Sequence, residues 1–287
     1  MLPRRRVGRD SRAIRAQEFA RAYSQYRLGE YPYETYGNGD PLLLIMGFAM
    51  PGAAWLPMLP LLTGFKCIYF DNRGVGQSDQ PAGTYTVPEM ADDTSGLLKA
   101  FGINRAKVFG VSMGGMIAQE LALRHPEQVE KLVLGCTMAG GATAKQAAPD
   151  VVEKLMTGNA LMASDPDQAL DIILPILMPA EFIAAHPELK PMLTAAMAMA
   201  PRTSPAAIAS QAAGIMLFNA YDRLPQIKCP VLIVHGDSDV LVPSENAAII
   251  KSRLPQAEVI MIPGAGHAFQ AADPVGVHQR IVSWLRN

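Results

Sequence analysis

Short unbroken apolar runs punctuate the chain: Leu42-Leu43-Leu44-Ile45, Lys66-Cys67-Ile68-Tyr69-Phe70, Lys107 to Val111, Lys131-Leu132-Val133-Leu134, Val231-Leu232-Ile233-Val234 and Val259-Ile260-Met261-Ile262. Helix-like stretches such as Met116-Ile117-Ala118-Gln119-Glu120-Leu121-Ala122 fall between them. A strand with one wet face would alternate apolar and polar residues. An unbroken run predicts a strand covered on both faces, hence a mostly parallel sheet flanked by helices.

This rhythm stops between residues 139 and 224, which are rich in Ala, Met and Pro and show no clear strand. Half of the sixteen methionines fall between Met138 and Met216. The segment reads as a helical cap inserted into the α/β core. Its Met side chains serve packing first, and at a substrate entrance they make an adaptable apolar wall. The expected division is residues 1–28 as a basic, helical N-terminal extension, 29–138 and 225–287 as the core, and 139–224 as the cap.

Net charge is −1, which gives no general pull toward nucleic acid. The charge is uneven: residues 1–27 carry eight Arg against Asp10 and Glu18, an excess of +6, leaving −7 for the rest. Within this segment 10–27 reads as a helix with Ile14, Phe19, Tyr23 and Tyr26 near one face. The plain reading is a solvated basic extension; the functional alternative is a homo-oligomer contact or an anionic surface. No apolar run approaches the ~18 residues of a membrane span, and Arg4-Arg5-Arg6 lacks the apolar stretch of a secretion signal. Cys67, Cys136 and Cys229 lie in or beside apolar runs and read as buried thiols of a reducing cytoplasm.

The strongest chemical signal is Gly110-Val111-Ser112-Met113-Gly114, set between a strand and a helix. A Gly-x-Ser-x-Gly turn in that setting lifts the serine hydroxyl above the strand end, over a helix N-terminus. A serine needs a base, and the base an orienting acid. His267, in the turn Pro263-Gly264-Ala265-Gly266-His267 after the last strand, is the expected base. His125, His186, His235 and His278 read as surface, cap, loop and last-helix residues. The acid should come from Val234-His235-Gly236-Asp237-Ser238-Asp239. Asp239 has the loop length to turn toward His267, whereas Asp237 reads as a turn former. The oxyanion donors are expected from the N–H groups of Met113 and Phe48, with Gly47 as the alternative to Phe48. The Met113 and Phe48 side chains would then line the pocket. Asp71-Asn72-Arg73-Gly74-Val75-Gly76-Gln77-Ser78-Asp79 lacks the Lys and helix of a phosphate loop, and reads as a tight turn in which Asp71 and Arg73 brace the site. No cluster has metal-ligand spacing and no dinucleotide fingerprint appears.

With Asp71–Asp79, the Ser112 elbow, His235-Gly236-x-x-Asp239 and Gly266-His267 in place, the chain resembles the α/β-hydrolase fold superfamily over about residues 30–138 and 225–287. Its extended elbow Gly-Val-Ser-Met-Gly-Gly is similar to that of bacterial carboxylesterases with small helical caps, and to enol-lactonases and cofactor-free perhydrolases. Many such relatives carry His-Gly where this chain has Met46-Gly47. Anthracycline methyl esterases resemble it better there, with a Trp comparable to Trp55. A serine rather than an aspartate nucleophile argues against the related dehalogenases and epoxide hydrolases.

The resemblance implies a carboxylesterase-type serine hydrolase; with no visible targeting signal, metal spacing or dinucleotide fingerprint, it is expected to act in the cytoplasm without cofactor or metal, and the apolar cap predicts a small-to-medium uncharged ester. Met46, Gly47, Trp55 and Met138 are the expected substrate-side residues. The alternatives using the same triad are a lactonase, a methyl esterase, a carbon–carbon bond hydrolase, a perhydrolase or an acyltransferase. Outside enzymes, the alternative is a ligand receptor on the same fold.

Overall fold

The computed structural model describes residues 33–162, 164–199 and 203–287. The basic helix expected over 10–27 lies outside the described residues. In chain order the elements are β1 (Tyr33–Tyr36), β2 (Asp40–Ile45), β3 (Phe65–Phe70), α1 (Val87–Ala100), β4 (Ala106–Val111), α2 (Met113–Arg124) and β5 (Val129–Gly135). Five helices follow: α3 (Pro149–Leu161), α4 (Pro166–Leu177), α5 (Ala180–Ala185), α6 (Leu189–Met199) and α7 (Pro205–Leu217). The chain then closes with β6 (Val231–Gly236), α8 (Glu245–Arg253), β7 (Glu258–Ile262), α9 (Phe269–Ala272) and α10 (Pro274–Arg286).

The strands form one seven-stranded sheet in the order β1-β3-β2-β4-β5-β6-β7. All neighbours run parallel except β1, which pairs antiparallel with β3. Each apolar run in the sequence is a strand; the edge strand β7 leaves Val259 and Met261 exposed, and in the other runs the residues alternate between two cores. Leu43, Ile45, Val108, Leu132, Leu134, Val231 and Ile233 enter one, beneath α1, α2 and α8. Leu42, Leu44, Phe109, Val133, Leu232 and Val234 enter the other, beneath Trp55, Leu59, Leu62 and α10. This two-sided burial is why the runs are continuous. Burying each such side chain contributes about 1.5–3 kcal/mol before the entropy cost of ordering it. The edge strand β1 was not expected. Tyr-Glu-Thr-Tyr is short and mixed in polarity, and only its pairing with β3 makes it a strand.

Local chemistry sets the helix ends. Thr86 and Glu89 form a reciprocal capping box that starts α1. His125 and Pro126 end α2. The insertion begins and ends at one point: Ala220 N–H donates to the Ala139 carbonyl (2.8 Å), Gly141 N–H donates to that of Phe218 (3.1 Å), and Gly140 bridges Asn219. Its helices can therefore leave the sheet and return without breaking the β5–β6 pairing. Among the described residues, no helix is long and apolar enough to cross a membrane.

Candidate active site

The chain runs from β2 outward to β3, then returns to the far side of β2 as β4. This reversal leaves a crevice above the carboxyl ends of β2 and β4, where parallel α/β sheets bind ligands. Ser112 follows β4 and Gly47 follows β2 by two residues, so both flank the crevice. Ser112 has φ 57° and ψ −124°, strained for a residue with a side chain. Its N–H is held by the Gly135 carbonyl (2.9 Å), and its own carbonyl accepts from Thr137 Oγ1 (2.7 Å) and Gly115 N–H (2.9 Å). The flanking glycines are needed for space. A Cβ on Gly110 would overlap the Gly114 carbonyl, and one on Gly114 the Ile45 carbonyl.

The loop after β6 meets the loop after β7. Asp239 Oδ2 accepts from His267 Nδ1 at 2.8 Å, with both side chains buried. The other carboxylate oxygen, Oδ1, accepts the N–H groups of Leu241 (2.9 Å) and Val242 (2.8 Å), which fixes its direction. Asp237 ties the two loops together, accepting Gly264 N–H at 2.8 Å and Ser238 Oγ at 3.0 Å. Burial works against the Asp239 carboxylate, but the His267 charge and the donors around it hold its pKa well below the ordinary value. Burial likewise opposes charge on His267, yet the neighbouring Cys136 sulfur and Asp239 carboxylate raise its pKa above that of a free imidazole. Among the described residues no hydrogen bond joins Ser112 Oγ to His267. Such bonds often tighten only once substrate is bound.

The segment after β2 is pinned at three points. Asn72 Nδ2 donates to the Met46 carbonyl (2.9 Å), Gln211 Oε1 accepts Ala49 N–H (2.9 Å), and Asp71 Oδ1 accepts Gly52 N–H (2.7 Å). Between the first two, the N–H groups of Gly47 and Phe48 carry no hydrogen bond among the described residues. Gly47 stands so close to Ser112 that an added Cβ would lie 3.1 Å from Ser112 Cβ. Met113, the first residue of α2, follows Ser112 directly. Asp71 also accepts Gln77 N–H, and its burial raises its pKa. The Arg73 side chain instead forms a two-point ion pair with Asp93 of α1 (2.7 and 2.6 Å).

The remaining expectations divide. Trp55 is fully buried against Phe109, with ring centroids 5.0 Å apart, so it takes a core position instead of a substrate-facing one. Met113 is likewise fully buried beneath the sheet's first core, so its side chain does not line an open pocket. Met46 and Met138 are buried in opposite cores, while Phe48 is only half-buried. His125 pairs with Asp92 at 2.8 Å, and His186 stacks on Phe182. Cys67, Cys136 and Cys229 are free thiols, and burial pushes Cys67 up to about 12 and Cys229 to about 11.

Three residues of the site escaped the sequence reading. His235 was read as a loop residue but reaches Asp239. Cys136, expected only as a buried thiol, has φ 39° and lies beside His267. Gln211 comes from α7, more than 160 residues from Ala49. The motif His235-Gly236-x-x-Asp239 could have suggested the first; nothing local marks the other two. Among the described residues, no group of three or more His, Cys, Asp or Glu side chains is placed to hold a metal ion.

A model of the alpha/beta hydrolase fold family matches residues 40–274. Azorhizobium caulinodans has a relative 30% identical over 246 residues, covering 84% of this chain and 89% of its own, provisionally named the carbamate hydrolase RutD. A Mycobacterium tuberculosis H37Rv relative, provisionally named the non-heme bromoperoxidase BpoC, is 30% identical over 253 residues and covers 82% of this chain and 89% of its own. The solved structure of a thermophilic esterase from Thermogutta terrifontis is similar at TM-score 0.74 and 28% identity, over 88% of this chain and 92% of that one. The three names differ on the reaction.

Proposed function

The chain belongs to the alpha/beta hydrolase fold family, and within it we propose a serine hydrolase that cleaves carboxylic esters through an acyl-enzyme. The observations that carry this are the Asp239–His267 pair at 2.8 Å and a strained Ser112 at the sheet's topological switch point, whose N–H is held by Gly135, the residue before the Cys136 that neighbours His267. In this reading Ser112 Oγ attacks the ester carbonyl while His267 Nε2 takes its proton. Asp239 holds Nδ1 protonated and stabilises the imidazolium, without becoming protonated itself. The tetrahedral oxyanion is met by the N–H groups of Met113 and Phe48, each donor contributing about 10²–10³ in rate. His267 passes the proton to the leaving alkoxide, then activates water to release the acid.

The helices between β5 and β6 act as the cap, residues 139–224, over a core of 29–138 and 225–287. They approach the site from both sides. Ala268 N–H, next to the base, donates to the Leu177 carbonyl at the end of α4 (3.0 Å), while α7 holds Ala49. The apolar composition of this cap favours small-to-medium uncharged esters. The name of the Azorhizobium relative favours carbamates as a second reading, since the same acyl-enzyme steps cleave them.

The test is steady-state hydrolysis of p-nitrophenyl esters graded from acetate to palmitate, with a p-nitrophenyl carbamate and the Ser112→Ala variant alongside. Repeated turnover of short and medium esters, with kcat falling by about 10⁴–10⁶ in the variant, is the expected result. Turnover of the carbamate alone would replace the ester reading with the second one. Activity that survives Ser112→Ala would remove the serine mechanism.

A further inference from the structure

Gln211 lies in α7 and is fully buried, and both ends of its amide are engaged. Oε1 accepts Ala49 N–H at 2.9 Å, and Nε2 donates to the Arg73 carbonyl at 2.8 Å. Those two groups belong to different loops: Ala49 follows Phe48 in the segment after β2, and Arg73 sits in the turn after β3. Gln211 is therefore a cross-brace between two site loops, supplied by the insertion.

The brace falls on a strained residue. Ala49 has φ 57°, a left-handed conformation that costs an alanine energy and that a loop keeps only when held. The peptide that follows Phe48 supplies the Ala49 N–H. Fixing that N–H limits rotation about Phe48 from one side, and the Gly47 carbonyl, which shares a peptide plane with the Phe48 N–H, accepts Met50 N–H (3.4 Å) on the other, so the two bonds together restrict the direction of the Phe48 N–H. Neighbouring contacts keep α7 from shifting: Tyr85 N–H donates to the Ser210 carbonyl (3.2 Å), and a side chain on Gly214 would overlap the Tyr85 carbonyl.

We propose that Gln211 is a positioning residue that lets the inserted helices set the orientation of the Phe48 oxyanion donor. The proposal rests on the serine-hydrolase reading of Ser112, but not on which acyl group is cleaved. Gln211 touches neither substrate nor the reacting atoms. It acts through Ala49, so that the fixed seat of α7 contributes to transition-state stabilisation.

The test compares Gln211→Met, which keeps the volume and loses both hydrogen bonds, with Gln211→Glu, which keeps the acceptor toward Ala49. The readout is the rate at which a fluorophosphonate phosphonylates Ser112, followed by intact mass, beside kcat and KM for p-nitrophenyl butyrate. A positioning role predicts the order wild type, Glu, Met, with Met slower by about tenfold or more and KM within about twofold. A residue that merely fills space predicts the reverse order for the two variants, because a buried thioether is tolerated better than a buried carboxylate. That reverse order, or Gln211→Met labelling at the wild-type rate, overturns the proposal.

Should Gln211→Met fail to fold, Gln211→Asn keeps the amide but is too short to span both loops. It is expected to lose rate in the same way, and an unchanged rate overturns the proposal equally. If wild type phosphonylates Ser112 yet turns over no ester, the ester reading fails and the proposal is still decided by the labelling rates. If wild type does not label at all, the Ser112 reading fails and the proposal falls with it.

Discussion

His235 Nε2 stands 3.2 Å from Asp239 Oδ2 and 2.8 Å from the Val242 carbonyl oxygen. Both neighbours are acceptors, so this nitrogen carries the hydrogen and is shared between them. The side chain is completely buried, and its Nδ1 has no partner among the described residues. His235 thus braces the loop that carries Asp239 and adds one more donor to the carboxylate. Replacing it with Phe should leave the buried Val242 carbonyl unpaired, costing about 1–3 kcal/mol. The denaturation midpoint should fall accordingly, with kcat lowered more than KM is raised. An unchanged midpoint would show that the shared hydrogen contributes nothing.

In the proposed mechanism His267 acts as a base only when neutral. Since the Asp239 and Cys136 neighbours raise the His267 pKa, kcat/KM should rise with pH through a midpoint above 6.5, the ordinary imidazole value. Asp239 is held well below its ordinary value and stays ionised throughout that range. Asp239→Asn should lower kcat by about 10⁴ and move the midpoint down. The sign for stability is opposite to that for activity. A raised folded pKa stabilises the fold fully below pH 6.5, and this contribution fades as pH climbs through the folded value. The denaturant midpoint of wild type, compared with His267→Gln from pH 5 to 9, reads it directly.

Gly47 leaves little room for a side chain beside Ser112, since an added Cβ would lie 3.1 Å from Ser112 Cβ. Gly47→Ala should push the loop away and lower kcat by about 10²-fold with little change in melting temperature. Gly96 in α1 faces open space and is the control. Gly96→Ala should leave activity alone and stabilise the helix by about 0.5–1 kcal/mol. Equal activities of the two variants would count against an oxyanion role for this loop.

Glu120 of α2 is fully buried and paired with Arg223, which donates through Nη1 at 2.9 Å and through a second contact from Nη2. Arg223 lies at the end of the insertion, so this pair ties its return to the core. Arg223→Leu leaves a carboxylate buried without a partner, a loss of about 3–5 kcal/mol, nearer the lower figure because the Arg223 side chain is 40% exposed. The double variant Glu120→Leu with Arg223→Leu should recover most of that loss. Chemical denaturation of both variants distinguishes this from simple loss of packing, which would make the double variant worse.

Much of this molecule is legible along the chain, for identifiable reasons. Each strand from β2 to β6 announces itself because burial on two faces demands apolar runs, whereas β7 carries an apolar run although Val259 and Met261 are exposed. The elbow is legible because the tight contacts of Gly110 and Gly114 with backbone carbonyls admit no other residue type there. Asp239 and His267 can be picked out because strand ends followed by short turns set where their side chains can reach.

The rest was decided by contacts between segments far apart in sequence. Trp55 carries no local sign that it faces Phe109. Strand β1 exists only through its pairing with β3. A thiol, an imidazole and an amide — Cys136, His235 and Gln211 — have ordinary sequence surroundings, and become part of the site only when the folded chain places acceptors and donors beside them. Apolar periodicity is a local requirement and leaves a local trace. A hydrogen bond across more than 160 residues has no trace until the sheet brings its two ends together.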